Sequence, residues 1–344
     1  NTCIWPGDLD NDMSKHTATN VGGLPAAISG MLSLSASGYP FFGSDIGGYR
    51  GGVPDAETLM RWAEYAALGT IMQLGGAGKS HNPWDTTLYG TEALPHYRTY
   101  ARLHMDLFPY IYSYAVKAAA DGSPVTVPLG LAFPTDQKAW TQDFEYMLGD
   151  FVLVAPVITP GAKTKKVYLP AGTWIHHWTR KAYKGPAEVT VAAPLGKLPL
   201  FSREGAIVAM LGEPVDTLAP ATDSSVKTYA AHKEKLNLAI IPGNGTSKLE
   251  LFDGTKITLD TAAAGITVEL QAGTQFINPM LALDWKNYAG VPQVPTKVTL
   301  GSKTLQKAAL AKDVKGCQGG CWYHDASDAR LRIQVSGAGK VSIQ

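Results

Sequence analysis

Charge is scarce in this sequence. Asp, Glu, Lys and Arg make up 17% of its 344 residues, with 30 basic and 29 acidic side chains and a net charge of +1. Globular chains ordinarily carry about a quarter. With no basic stripe to neutralise phosphates, nucleic acid is not an expected partner. Long apolar runs are missing too: stretches such as Phe151 to Ile158 stop well short of the ~20 residues that span a bilayer, so no membrane partner is expected. Cysteine is down to three residues. Cys317 and Cys321 flank Gln318-Gly319-Gly320, and two readings stand, a local disulfide or a pair of reduced thiols. Two neighbouring soft ligands are too few for a metal site. A disulfide would favour an oxidising compartment, and Asn244-Gly245-Thr246 has the form of an N-glycosylation sequon, so an extracellular or periplasmic location is expected. A signal peptide is also lacking. Asn1 opens directly on a strand-like segment, as expected of a processed chain or a fragment.

What remains is long enough for two or three domains. Residues 1–121 alternate short strand candidates, Cys3–Trp5, Tyr39–Gly43 and Thr70–Leu74, with helical stretches. Leu59, Trp62, Ala63 and Ala66 give one helix from about Asp55 to Leu68 an apolar face, with Asp55 as N-cap and Gly69 as terminator. A second helical pattern covers roughly Tyr97 to Ala120, and Pro109 must kink or divide it. Three β–loop–α units are a little under half of a (β/α)8 barrel, which takes about 250 residues. Beyond Gly122 the sequence turns to β-rich segments parted by Gly and Pro. The expected fold is therefore α/β plus all-β: the last three units of a (β/α)8 barrel over 1–121, a proximal β-sandwich over 122–211 and a distal β-sandwich over 212–344.

Three segments place polar groups just past a strand end: Trp5-Pro6-Gly7-Asp8, Gly43-Ser44-Asp45-Ile46-Gly47-Gly48-Tyr49, and Lys79-Ser80-His81-Asn82. In a barrel such groups converge on one pocket. Two carboxylates, an imidazole and two aromatic rings suit a sugar, whose hydroxyls need polar partners and whose ring needs a flat apolar face. Each residue also has a plainer reading. Asp8, Asp10 and Asp12 begin like a calcium loop, but Met13 replaces the required glycine and Thr19 the bidentate glutamate. Asp45 among glycines could be a turn residue, His81 a hydrogen-bonded structural histidine, and Trp5 a core residue. His176 and His177 alternate with Trp174 and Trp178, a pattern that does not suggest a metal site.

Those segments, with Arg61-Trp62, Pro83-Trp84, Phe108-Pro109-Tyr110-Ile111-Tyr112, Phe133-Pro134-Thr135-Asp136, Gly149-Asp150 and Pro199-Leu200-Phe201-Ser202-Arg203-Glu204-Gly205 following in order, resemble the C-terminal half of a family-31 glycoside hydrolase. This is the α-glucosidase and α-xylosidase family. The resemblance covers about residues 1–211 and implies a retaining α-glycosidase. It puts Asp8 at the general acid/base, Trp5 and Tyr49 at aromatic positions of the subsite of the sugar being cleaved, His81 at a histidine bonding that sugar's hydroxyls, and Asp45 at a supporting carboxylate. The family's nucleophile lies on an earlier barrel strand, for which this sequence has no segment. Lys79 stands where the family has arginine, and lysine lacks the planar fork of a guanidinium. Pro6 and the acidic run after Asp8 also depart from the usual pattern.

The resemblance implies double displacement on a terminal α-linked sugar, with no metal or organic cofactor. The implied partners are an oligosaccharide or glycoside substrate and a polypeptide carrying the N-terminal half of the enzyme. The alternatives are a non-catalytic carbohydrate-binding or scaffold protein with a degenerate barrel, and an α-transglycosylase.

Overall fold

A computed structural model describes residues 3–76, 81–262, 265–284, 294–315, 317, 319–328 and 330–344. Lys79 lies outside the described residues. The chain forms two compact units, Asn1–His104 with Tyr114–Phe201 and Met105–Ser113 with Ser202–Gln344.

In the first unit, Ile4 pairs with Phe42 and Asp45 with Gln73 in parallel bridges. The three expected strands thus lie side by side and run the same way, but each is reduced to bridge pairs. Glycines at 43, 47, 48, 75 and 76 crowd these segments, and glycine weakens strand pairing. Helix α1 (Leu24–Ala36) follows the first segment and α2 (Ala56–Ala66) the second; α3 (Thr86–Tyr89) and α4 (Ala93–Asp106) follow the third, and then comes α5 (Phe108–Asp121). The Asp55 side chain caps α2 by accepting from the Thr58 N–H at 2.7 Å, and Glu57 sits in the first turn, where negative charge is favoured. Pro109 divides the long helical pattern. It falls in the first turn of α5, where its missing N–H would have had no partner.

Strands β1 (Thr126–Pro128), β2 (Tyr146–Leu148), β3 (Val152–Val154), β4 (Thr164–His176), β5 (Ala182–Ala192) and β6 (Leu200–Arg203) form one sheet in the order β1-β2-β3-β6-β4-β5. The sequence led to a β-sandwich here, and the six strands are joined by hydrogen bonds in one sheet. Strand β4 gains one residue on β5 between Leu169 and Gly172. Such a bulge bends the strand and reverses which face later side chains occupy. Val167, Tyr168 and Leu169 before the bulge share one core with Trp174 after it, together with Leu153, Val191 and Phe201.

The second unit begins with β7 (Ile207–Leu211), which pairs with β8 (Leu236–Ile240); β7 precedes the sequence boundary at 211. The chain continues through β9 (Gly245–Glu250), β10 (Lys256–Ala262), β11 (Gly265–Gln271), β12 (Met280–Asp284), β13 (Val298–Leu300), β14 (Lys303–Thr304), β15 (Gln306–Lys307), β16 (Cys321–Asp325), β17 (Arg330–Gln334) and β18 (Gly339–Ile343). They make two six-stranded sheets, β14-β13-β18-β11-β10-β9 and β15-β16-β17-β12-β8-β7. Period-two burial supplies the inner faces: Ile257 and Leu259 on β10, Ile266, Val268 and Leu270 on β11, Leu281 and Leu283 on β12. Cys317 and Cys321 are free thiols, as is Cys3, so the reduced reading is the one realised. Burial, with a hydrogen bond to Cys317, pushes the Cys321 thiol up to about 12.

Candidate active site

The site grows out of the ends of the three parallel segments. Gly7 takes a left-handed φ of 79°, which turns the chain immediately after Trp5-Pro6 and presents Asp8. The Trp5 ring lies against Gly43, where a Cβ would come within 2.4 Å of the indole. Its Nε1–H donates to Asp45 Oδ2 at 3.1 Å. Asp45 is buried and anchored by the bridge to Gln73, with the Ile46 N–H donating to the Gln73 carbonyl at 3.1 Å. Its other oxygen rests on Gly75, where a Cβ would sit 1.8 Å from Oδ1. His81 is buried beside it, its ring between Gly76 and Gly47. A Cβ on Gly76 would lie 1.9 Å from Nδ1, and one on Gly47 would lie 2.8 Å from Cδ2. Only glycine permits these approaches.

Burial shapes the electrostatics. It raises the Asp45 carboxyl above its ordinary value, against the Trp5 hydrogen bond and His81, which favour the anion, while nearby Asp8 raises it further. Burial likewise lowers the His81 imidazole, opposed by backbone hydrogen bonds at Gly47 and Gly48 and by Asp45. Burial thus works against the charged form of each group.

Asp8 and Tyr49 flank this cluster on backbones that are zipped together. The Tyr49 N–H donates to the Leu9 carbonyl at 2.9 Å and the Asn11 N–H to the Arg50 carbonyl at 3.0 Å. Tyr49 is 39% exposed and Asp8 is exposed. The rest of the acidic run is committed elsewhere. Asp10 accepts from Arg50 Nε at 2.5 Å and from the Gly22 N–H at 3.0 Å, and Asp12 accepts from the Ser14 N–H and hydroxyl. Among the described residues no hydrogen bond engages the Asp8 carboxylate, which leaves it available for proton transfer. Also among the described residues, no three His, Cys, Asp or Glu side chains are gathered to hold a metal ion.

Sequence reading assigned no role to Arg61, and Gly75 and Gly76 went unremarked. Arg61 is buried on α2 and reaches Glu64 at 3.0 Å and Glu57 at 3.7 Å. It also donates to the carbonyls of Ala162 at 3.0 Å and Ala193 at 2.8 Å, which flank β4 and β5. Glu64 in turn accepts from the Gly196 N–H at 2.7 Å and lies 3.5 Å from His96. Burial lifts Glu64 to about 7 and lowers His96 to about 4. Next to Arg61, Trp62 donates its Nε1–H to Ser44 Oγ at 3.0 Å, so α2 braces the segment that carries Asp45. The available signal was Arg61 at helical spacing from Glu57 and Glu64, beside a tryptophan on the apolar face of α2.

Known proteins resemble this chain in sequence and fold. Residues 2–114 match the glycosyl hydrolases family 31 TIM-barrel domain, and residues 122–208 match the glycosyl hydrolase family 31 C-terminal domain. An isomaltosyltransferase of Sporosarcina globispora is 26% identical over 94% of this chain and 29% of its own length. An α-xylosidase of Saccharolobus solfataricus is 30% identical over 80% of this chain and 34% of its own. Among solved structures, the cycloalternan-forming enzyme of Listeria monocytogenes, in complex with a pentasaccharide substrate, superposes with a TM-score of 0.84 at 25% identity. It covers 99% of this chain and 32% of that one, so the likeness extends through the distal sheets. The chain spans about a third of the length of the curated relatives it matches. By its two domain matches and by the ordered segments around Trp5, Asp8, Asp45 and His81, this chain belongs to glycosyl hydrolase family 31.

Proposed function

We propose that this chain supplies the general acid/base and part of the sugar subsite of a retaining α-glycoside hydrolase. The observation that carries the proposal is the contact cluster of Trp5, Asp45 and His81 beside an unengaged, exposed Asp8. The protonated Asp8 carboxyl gives its proton to the departing glycosidic oxygen while a second carboxylate attacks the anomeric carbon. Asp8 then takes a proton from the water that cleaves the glycosyl–enzyme ester, restoring its own acid form. Asp45 and His81 hold hydroxyls of the same sugar, and Trp5 gives its ring an apolar wall. The attacking carboxylate, some 5 Å from Asp8 in a retaining site, belongs in this reading to polypeptide carrying the earlier barrel strands. The enzyme is then active only with that half in place.

A second reading is favoured by two relatives whose names describe glycosyl transfer or ring formation, the isomaltosyltransferase and the cycloalternan-forming enzyme. The same Asp8 would then deprotonate a sugar hydroxyl instead of water. Replacing Asp8 with Ala in the complete enzyme is expected to abolish turnover of natural α-glycosides while sparing substrates with highly acidic leaving groups. Unchanged activity on natural glycosides would sink the assignment. Product analysis at high sugar concentration separates hydrolysis from transfer.

A further inference from the structure

We propose a second carbohydrate-binding site on the first unit, a groove of about 620 Å³ between α1 and the β1–β2 connection. Its platform is Trp140, an indole left 52% exposed. The ring is fixed rather than loose. It packs on Gly130, where a Cβ would come within 2.5 Å of it, and its Nε1–H is held by the Pro134 carbonyl at 3.0 Å. Leu131 extends the apolar surface beside it, 42% exposed.

The facing wall is open and mixed, with Leu32 and Ala36 of α1 lining it beside polar groups. Ser29 and Ser33 stand one turn apart on α1 and line the groove, and Asp143 lines it from the other side. Among the described residues none of these three side chains has a hydrogen-bond partner. Gln142 commits only its Nε2, to Lys138 and Thr141, which leaves its amide oxygen as an acceptor. The charges are one of each sign: Asp143, and Lys15, whose ammonium lies 5.3 Å over the Phe144 ring.

A rigid aromatic face rimmed by hydroxyls, a carboxylate and an amide, with balanced charge, matches a neutral hydroxylated ring. An anion or an apolar peptide would leave these groups unsatisfied. The ligand is a neutral oligosaccharide of stacked pyranose units. Its choice as an α-glucan rests on the activity proposed above, whereas the site itself rests on the groove. It shares no residue with the Asp8 cluster, so it would hold a polymeric chain to the protein without acting on it.

The test is affinity electrophoresis of the intact protein in gels containing soluble dextran or soluble starch. The unsubstituted protein and His81→Ala, which lacks a sugar-holding side chain of the candidate active site, should both be retarded, and Trp140→Ala should bind about tenfold more weakly, as loss of an anchoring tryptophan does. Ser33→Arg leaves the platform untouched and fills the groove from α1, so it should lose retardation as well. Circular dichroism checks that each variant is folded. No retardation of the unsubstituted protein, or full retardation of folded Trp140→Ala, overturns the site. So does retardation that is lost with His81→Ala alone, because all binding would then belong to the candidate active site. Failure of the activity reading leaves a different trace, retardation that depends on Trp140 in a protein without turnover.

Discussion

Replacing Arg61 with Met tests how α2 is held to the sheet domain, and it needs no substrate. The side chain is buried, and its guanidinium serves Glu64 at 3.0 Å and the carbonyls of Ala162 and Ala193 at 3.0 and 2.8 Å. Methionine keeps most of the volume and provides none of the five donors. Removing one partner of a buried ion pair costs about 3–5 kcal/mol, mostly because the other charge is stranded. The cost must depend on pH. Glu64 already titrates near 7 because burial penalises its anion, and losing Arg61 raises it further. A group raised in the folded state contributes stability in full below its unfolded value, near 4.5, and loses it as pH rises through the folded value. At pH 5 Glu64 is therefore neutral in the variant, and only the orphaned carbonyls remain, worth about 2 kcal/mol. At pH 8 the full loss applies. For a body of this size each kcal/mol moves the melting temperature by ~2–4 °C, so thermal unfolding followed by tryptophan fluorescence should fall by about 6–20 °C at pH 8 and clearly less at pH 5. Adding Glu64→Leu should recover much of the loss at pH 8, short of the bond to the Gly196 N–H. Equal losses at both pH values, or a loss below about 1 kcal/mol, would refute the strut.

His96 points the other way: its imidazole titrates near 4 instead of 6.5 because it is buried. The stability it contributes is present above about 6.5 and disappears as pH falls towards 4. His96→Gln, which keeps a donor for the Met60 carbonyl, should flatten the fall in urea midpoint between pH 7 and 4.5; parallel slopes would exclude this origin. Gly75→Ala forces the Asp45 carboxylate off its bond to Trp5, and displacement of that size should lower kcat/KM of the complete enzyme by about 10²-fold. Wild-type kinetics would show that the Asp45 position is unimportant. In the native protein Cys321 should resist an exogenous disulfide reagent and react on unfolding, since the thiolate is what attacks. Rapid native labelling at Cys321, read by mass spectrometry, would contradict its burial.

Much of the site was legible because its chemistry is local. Asp8 follows a left-handed glycine, Asp45 lies in a glycine-rich turn, and His81 follows the third segment; each is recognisable from a few neighbours. The helices were legible for similar reasons, through Asp55 as cap and Pro109 as divider. The β4 bulge was not, because nothing in Leu169 to Gly172 announces that Trp174 must change face; that depends on β5 being one residue shorter. Nor do Met280–Asp284 and Gly339–Ile343 announce themselves as strands. Their burial depends on partners far away in sequence, Leu331 and Ile333 on β17 and Ile266 on β11. Arg61 illustrates the same limit, since the carbonyls of Ala162 and Ala193 that it bonds lie 101 and 132 residues on.

The glycines at 43, 47, 75 and 76 carry a consequence for evolution and for mutational scanning. Each is the missing volume against which a side chain of the candidate site rests: Trp5 on 43, Asp45 on 75, His81 on 47 and 76. None has a side chain to meet a ligand, yet adding one methyl group at any of them would move the indole, carboxylate or imidazole it supports. A library selected for turnover would therefore deplete these four positions as sharply as it depletes Asp8. A selection for folding alone would treat them far more leniently. Comparing the two landscapes would separate the residues that build the pocket from those that merely hold the protein together.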